Sequence, residues 1–264
     1  MSDYYVLGQG KVFLDEIDPI TKRAKEKSRY VGNVPEDGFI IAPQTQTLEH
    51  FESNTGFNRK DQKFENQQMA QVTIRMENID KENLAVAMFG NSLSIAAGTV
   101  TAEAHTAHRG YSFHLNRINA TAFTSLTSAE TEPTTYVAGT DYQIVNLKTG
   151  EIFIPEDSGI FTPSNPDAVQ VRANYTAGKM DRVTGFSRIN TELWVRFNGV
   201  NIAGYQAPII AEVFKVRFNP VSALDFIKNN FPGMQLELIG EALYEPLLDT
   251  VPGYEGGFYR VSTV

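Results

Sequence analysis

The stretch that decides the fold is Gln71-Val72-Thr73-Ile74-Arg75-Met76-Glu77-Asn78. Val72, Ile74 and Met76 are apolar and alternate with polar residues. Because successive side chains of a strand point to opposite faces of a sheet, this alternation predicts a strand with one buried and one solvent-facing side. The solvent-facing side then carries four polar residues, Gln71, Thr73, Arg75 and Glu77.

A short helix is predicted directly after this strand. Asp80 can cap its first turn and Gly90 can end it. Ile79 and Leu84 stand at the two positions of a hydrophobic staple. Four apolar residues recur at helical spacing and predict a stripe that covers the sheet, namely Leu84, Ala85, Met88 and Phe89.

The rest of the chain is typical of an all-β protein, because turn residues recur about every ten positions between runs rich in Val, Ile, Phe, Tyr and Thr. Further predicted strands are Lys11 to Leu14, Phe39 to Ile41, Trp194 to Val200, Ile209 to Phe218 and Gln235 to Ile239. A second short helix is predicted after Asn219-Pro220, with Ser222 as its cap, Val221 and Phe226 as its staple, and Pro232-Gly233 as its end.

A change in amino-acid composition indicates a second domain. Between about Leu115 and Asp181 the chain is rich in Thr, Ser, Asn and Pro, and it contains a hairpin pattern from Tyr142 to Ile154. Ala168 to Tyr175 supplies another strand. We therefore expect a main β-sandwich made of residues 1–114 and 182–264, with a small inserted β subdomain at 115–181.

The segment Gln44 to Gln68 is unusually polar for its length. It carries four isolated apolar residues, Leu48, Phe51, Phe57 and Phe64. Two interpretations stay open: a solvent-exposed loop with incidental aromatic residues, or a long protruding hairpin that docks on a partner.

Composition excludes several classes of protein. The chain has 264 residues, a formal net charge of −8 and no cysteine. The lack of cysteine excludes thiolate sites, and the negative charge disfavours binding of nucleic acid through its phosphates. No apolar run approaches the length of a bilayer span, and the N-terminus lacks a secretory pattern, so we expect no membrane insertion and synthesis in a cytoplasm.

Motifs of catalysis and metal binding are weak. His105 and His108 would point to opposite faces of a strand, and Gly8-Gln9-Gly10 precedes a strand where a dinucleotide site needs a helix. His50 and His114 stand alone. We therefore expect no enzyme activity, no metal and no cofactor.

Several stretches together resemble the tail tube proteins of long-tailed bacteriophages. They are Tyr30 to Glu36, Leu48 to Gly56, Asn78 to Ala85, Asp141-Tyr142 with Thr149 to Ile152, and Trp194 to Gly199 with Phe218 to Pro220. The likeness spans nearly the whole chain, although each stretch alone has low specificity.

The resemblance implies a structural subunit of the virion tail, assembled in the host cytoplasm as stacked hexameric rings through which DNA passes without specific binding. Its implied partners are further copies of itself, a tape-measure protein, a tail terminator, and distal tail or baseplate proteins. The implied ring-stacking hairpin residues are Leu48, His50, Phe51, Glu52, Phe57, Arg59 and Phe64. The implied lumen face is Gln71, Thr73, Arg75 and Glu77.

Two rival functions remain. One is a β-sandwich adhesin or receptor-binding module of a virion that recognises its target through residues 115–181, and the other is a carbohydrate-active enzyme. One charge pattern is also unresolved, because Lys215 and Arg217 alternate with apolar residues and would bring positive charge to a lumen. Either acidic residues such as Glu77 or Glu237 neutralise them, or their strand faces elsewhere.

Overall fold

The computed structural model describes residues 7–52, 59–189, 192–203, 206–228 and 233–264. Strands make up 55% of the structure and helices 5%, which confirms the predicted mainly β fold. The strands are β1 Gly8–Glu16, β2 Arg29–Tyr30, β3 Phe39–Glu52, β4 Arg59–Met76, β5 Asn91–Ile95, β6 Gly98–His108, β7 Ser112–His114, β8 Ala120–Ser128, β9 Thr135–Tyr136, β10 Gln143–Asn146, β11 Glu151–Phe153, β12 Ala168–Ala177, β13 Met180–Thr184, β14 Leu193–Asn201, β15 Ala207–Phe218, β16 Leu236–Ala242 and β17 Tyr259–Thr263. The helices of the described residues are α1 Lys81–Ala87 and α2 Pro246–Asp249.

The chain divides into two compact units. One consists of Met1–Ser92 and Val183–Val264, and the other of Leu93–Arg182. The inserted subdomain predicted at 115–181 therefore ends one residue before the observed unit ends, at Arg182, but begins 22 residues after its start at Leu93. The first segment of the main domain, predicted at 1–114, is too long by the same 22 residues. The reason is that β6 lies before residue 115 and pairs along its length with β12.

Eight strands of the first unit form one antiparallel sheet. Seven follow the order β2-β1-β14-β15-β16-β4-β3, and β17 pairs with β15. Three strands separate β14 from β3 in this order, yet the ring centroids of Phe197 on β14 and Phe39 on β3 are only 5.8 Å apart. The sheet therefore curls over its own core, and a single sheet supplies both layers of the predicted sandwich.

The strand around residues 71–76 has the predicted alternation. Val72, Ile74 and Met76 are fully buried in the core of the first unit, while Gln71 and Thr73 remain partly exposed. The period of two residues was sufficient for this prediction because it is a local property of extended backbone.

Helix α1 begins as predicted and ends differently. Asp80 caps it by accepting a hydrogen bond from the backbone N–H of Asn83 at 2.7 Å. At the other end Phe89, not Gly90, takes the left-handed conformation (φ 49°), and the N–H of Gly90 donates to the carbonyl oxygen of Ala85 at 2.8 Å. Gly90 serves a close approach instead, because a Cβ there would lie 2.6 Å from the carbonyl oxygen of Thr184.

The buried face of α1 is not the predicted apolar stripe. Asn83 and Ala87 are the helix residues with no exposed surface, while Leu84 and Val86 pack against the core only partly buried. The Asn83 amide is tolerated there because its Nδ2 donates to the carbonyl oxygens of Val31 and Asn78, both at 2.8 Å, and its Oδ1 accepts from Arg29 at 2.5 Å. A polar residue thus joins the helix to two other segments of the first unit.

Replacing Asn83 by Ala is expected to lower the free energy of unfolding of the first unit by about 1–3 kcal/mol, because the buried carbonyl group of Val31 loses its donor and Arg29 loses its acceptor. Urea denaturation followed by circular dichroism measures the change. Glu82→Ala on the same helix is the matched control and is expected to stay within about 0.5 kcal/mol, since that side chain is exposed. Equal stability of the two variants would contradict the inferred role of Asn83.

The second predicted helix is wrong over the residues that can be compared. Residues 222–228 are irregular, Phe226 is 76% exposed, and Pro232 lies outside the described residues. The N–H of Val221 donates to the carbonyl oxygen of Ala87 at 2.9 Å and fixes this segment at the end of α1. The second helix is instead α2, which Glu245 caps by accepting from the N–H of Leu247.

The second unit has its own core. A four-stranded sheet of order β6-β12-β8-β9 and a three-stranded sheet of order β10-β11-β7 contribute to it. Leu126, Tyr175 and Ile152, from β8, β12 and β11, are buried together there. The hairpin and the strand predicted within 115–181 correspond to β10, β11 and β12.

Candidate functional site

The first candidate surface is the solvent-facing side of β4 and its neighbours, here called the polar face. The register places Arg75 beside Glu237, Thr73 beside Ile239 and Gln71 beside Glu241, with β16 as the partner strand. On the other side of β4, Ile40 pairs with Thr73. The predicted residues Gln71, Thr73 and Arg75 are thus brought together with side chains from two further strands.

Charges on the polar face are largely paired. Arg75 Nε donates to Glu237 at 2.8 Å, and both side chains are about half exposed. Glu77, which follows β4, accepts from Asn33 Nδ2 at 2.5 Å and from Gln235 Nε2 at 3.3 Å. These contacts hold the carboxylates at defined positions and leave little uncompensated positive charge.

Lys215 and Arg217 of β15 have different surroundings. Lys215 is four-fifths buried and forms ion pairs with Glu245 at 3.3 Å and Glu192 at 3.4 Å. Arg217 is exposed and lies opposite Glu241 in the ladder with β16. Acidic residues do face both cations, but they are not Glu77 and Glu237, the examples that the sequence suggested.

Two apolar residues on the polar face were not predicted. Ile40 is 40% exposed and Ile239 is 37% exposed, on either side of Thr73. The alternation within β3 and β16 could have shown them, since Ile40 lies between Phe39 and Ile41 and Ile239 lies between Leu238 and Gly240. The surface is therefore a mixed one of hydroxyl, amide, paired charge and aliphatic groups, with few donors free for phosphate.

The second candidate surface is a two-stranded extension of the sheet, here called the arm, comprising Gln44–Glu52 and Arg59–Met69. β16 pairs with β4 only from Ala70 to Met76. The earlier part of β4, from Arg59 to Met69, therefore pairs with β3 alone in the described topology. The ladder continues to Glu52 opposite Arg59, with two register shifts, between Gln46 and Thr47 and between His50 and Phe51. The polar segment predicted as a hairpin is therefore regular strand for most of its length.

The apolar residues of the arm are exposed. Leu48 is 60%, Phe51 48% and Phe64 53% exposed, and Leu48 lies directly opposite Phe64 in the ladder. Phe51 is three residues beyond Leu48 and so points to the other face of the ribbon. The arm thus presents one cross-strand apolar pair on one face and a single aromatic ring on the other.

Polar contacts stiffen the arm near its end. His50 Nδ1 and Asp61 Oδ1 are 2.6 Å apart, and Lys60 forms an ion pair with Glu49. The hydrogen bond with His50 lowers the pKa of Asp61. Register shifts leave Asp61 and Asn66 as extra residues of β4, which increases the local twist of the ribbon. Phe57 lies outside the described residues, and Glu52 and Arg59 are the last described residue pair before that gap.

Backbone hydrogen-bonding groups are available at the edge of the sheet. β3 is an edge strand of 14 residues in the described topology, and Pro43 is the one residue of β3 without an N–H. A long edge of this kind can pair with the strand of another chain. Strands β3 and β4 thus contribute to the edge of the sheet, to its polar face and to the arm.

Among the described residues there is no group of three or more His, Asp or Glu side chains that could hold a metal ion. His105 is instead hydrogen-bonded through Nε2 to Glu103 at 2.7 Å and stacked on Phe113. None of the helices within the described ranges is long and apolar enough to cross a membrane.

Comparison with known protein families identifies the family of this chain. A search of curated proteins found no similar sequence. Residues 5–262 match the model of a family described as "Protein of unknown function UCP028589". Because the match covers almost the whole chain, this protein belongs to that family.

Proposed function

We propose that this protein is a structural subunit that polymerises as stacked hexameric rings to form the tail tube of a bacteriophage. The observation that carries the proposal is the arm, which is built as regular strand yet buries none of its apolar side chains. An isolated two-stranded ribbon is marginal in water, and an exposed apolar pair at mid-length gains free energy only when a second surface covers it. A neighbouring ring is that surface in the proposed assembly.

The edge strand supports lateral contacts within a ring. β3 is an edge strand among the described residues, and closure of the sheet with copies of itself would cover that edge and remove the risk of uncontrolled pairing. Stacking through the arm and closure through the edge use different parts of the same hairpin. One hairpin can therefore serve both directions of assembly.

The polar face suits the lining of a DNA conduit. Its cations are opposed by carboxylates, as Arg75 is by Glu237, so few donors remain for phosphate oxygens. Hydroxyl and aliphatic groups between the charges, such as Thr73 and Ile239, offer no extended hydrogen-bonding pattern to bases. DNA would slide along such a wall without specific binding.

Electron microscopy of the purified protein tests the proposal. We expect rings or tubes with sixfold symmetry, alone or on addition of the tape-measure protein, at concentrations in the micromolar range. Analytical ultracentrifugation should show the corresponding growth of the sedimentation coefficient with concentration. A strictly monomeric species with and without the tape-measure protein would refute the assembly.

A further inference from the structure

The second unit contains a groove that its own residues form alone, here called the polar groove. Its volume is about 540 Å³, within the range of small-molecule sites. It lies between the end of β8, the turn into β9, the loop at residues 159–165 and the start of β12. Its principal side chains are Ser128, Glu130, Thr134, Tyr136, Asn165 and Gln170.

The chemistry of the polar groove is that of hydroxyl and amide groups. Gln170 donates through Nε2 to Thr106 Oγ1 at 2.8 Å, which leaves its carbonyl oxygen as an acceptor. The hydroxyl oxygen of Ser128 accepts from the N–H of Thr134 at 2.9 Å, which leaves its proton for another acceptor. The groove thus presents a hydroxyl donor on Ser128 and an amide acceptor on Gln170, a combination that a polyhydroxylated ligand can satisfy.

The walls of the groove are held in place before any ligand arrives. Thr162 and Asn165 exchange two backbone hydrogen bonds, at 3.3 and 2.9 Å, across the loop. Ile160 and Ser128 line the groove and are themselves almost fully buried, and Ile160 belongs to the core of the second unit. A preformed site avoids much of the entropy cost of ordering loops on binding.

Charge restricts the class of ligand. Glu130 is the acidic residue of the groove, and no Lys or Arg is among the described residues that line it. Burial, followed by the nearby carboxylates of Glu130 and Asp141, raises the pKa of Tyr136, so its ring carries a neutral phenol. A phosphate or carboxylate ligand would meet repulsion from Glu130 without a compensating cation.

We propose that the polar groove binds a neutral oligosaccharide. Vicinal sugar hydroxyls donate to the Glu130 carboxylate and the Gln170 carbonyl oxygen and accept from the Asn165 amide, while the apolar face of the sugar ring packs on Tyr136 and Val169. The proposal is independent of tube assembly, because it concerns residues of the second unit alone.

Binding of the full-length protein to an array of immobilised oligosaccharides tests this site. The array carries neutral oligomers of glucose, galactose and N-acetylglucosamine beside sialylated and sulfated counterparts. We expect signal on neutral sugars, and titration calorimetry with the best of them should show affinity reduced about tenfold or more by Asn165→Ala. Gln143→Ala, an exposed amide of the same unit outside the groove, is the matched control and should bind as the native protein does.

Glu130→Gln supplies a readout of specificity. If the carboxylate excludes anions, this variant should gain binding to the acidic counterparts relative to their neutral parents. Absence of signal on every neutral sugar, or signal that Asn165→Ala leaves unchanged, would overturn the proposal. Retained far-UV circular dichroism shows that each variant is folded, and the assembly state of the subunit is expected to be the same in all of them.

Discussion

A subunit that carries Leu48→Ser together with Phe64→Ser is expected to fold normally and to fail to elongate. Both side chains are more than half exposed, so their loss should change the free energy of unfolding by less than about 1 kcal/mol. If a neighbouring ring covers them, their removal costs about 2–4 kcal/mol of assembly free energy per subunit. The critical concentration should then rise roughly 30- to 700-fold.

Pelleting of polymer at several protein concentrations measures this effect, and electron microscopy shows whether single rings persist. Val145→Ser is the matched control, because Val145 is also an exposed apolar strand residue (56%) but lies in the second unit. Val145→Ser should elongate as the native protein does, whereas the double variant of Leu48 and Phe64 should not. Normal elongation of the double variant would show that the arm does not stack rings, and loss of folding would show that the pair belongs to a core.

Replacing Glu212 by Ala is expected to cause the largest loss of stability in the first unit. Glu212 is buried, and three adjacent strands place it between Arg196 of β14 and Arg260 of β17. Its carboxylate accepts from Arg260 at 2.6 Å and from Arg196 at 3.3 Å, and Arg260 also lies over the ring of Tyr254. Removal of the carboxylate leaves two guanidinium groups without their counter-charge, and because each of them is a third or more exposed to water, the cost is about 2–4 kcal/mol.

The midpoint of thermal unfolding of this unit should fall by roughly 4–16 °C. Hydrogen exchange should show that β17 loses protection first, because β17 pairs with β15 through the residues around Glu212. Glu241→Ala, which removes an exposed carboxylate of the same sheet, is the control and should stay within about 0.5 kcal/mol. Equal stability of the two variants would mean that the buried carboxylate contributes little to the packing of the last strand.

Local patterns predicted the parts of the candidate site that depend on neighbouring residues. The alternation from Gln71 to Met76 identified both faces of β4, because a strand places every second side chain on one side. The cap at Asp80 was also predictable, since a side chain three residues before a helical N–H is its natural acceptor. The end of α1 shows the limit of such rules, because Phe89 and not the predicted Gly90 takes the left-handed conformation. Gly90 is required by its close approach to Thr184, a contact that the local sequence does not reveal.

Pairings over long sequence distances had to come from the fold. The partner of Arg75 is Glu237, and their encounter depends on the register between β4 and β16. The buried position of Asn83 likewise depends on the carbonyl of Val31, which lies 52 residues earlier in the chain and accepts from the Asn83 amide. In both cases the chain contains many residues of similar chemistry that could serve as the partner. The sequence alone does not identify the right one, because strand register and the fold determine which residues meet.

By itself the sequence therefore determined that the protein is mainly β, that β4 has one polar face, that a capped helix follows it, and that the segment after Gln44 is too polar to belong to a core. The tertiary structure decided that one sheet curls until Phe39 meets Phe197, that the polar segment is an arm of paired strand with Leu48 opposite Phe64, and that the second unit starts at Leu93. The physical reason is range: alternation and capping act within a few residues, whereas curling, register and unit boundaries come from contacts between residues far apart in the chain.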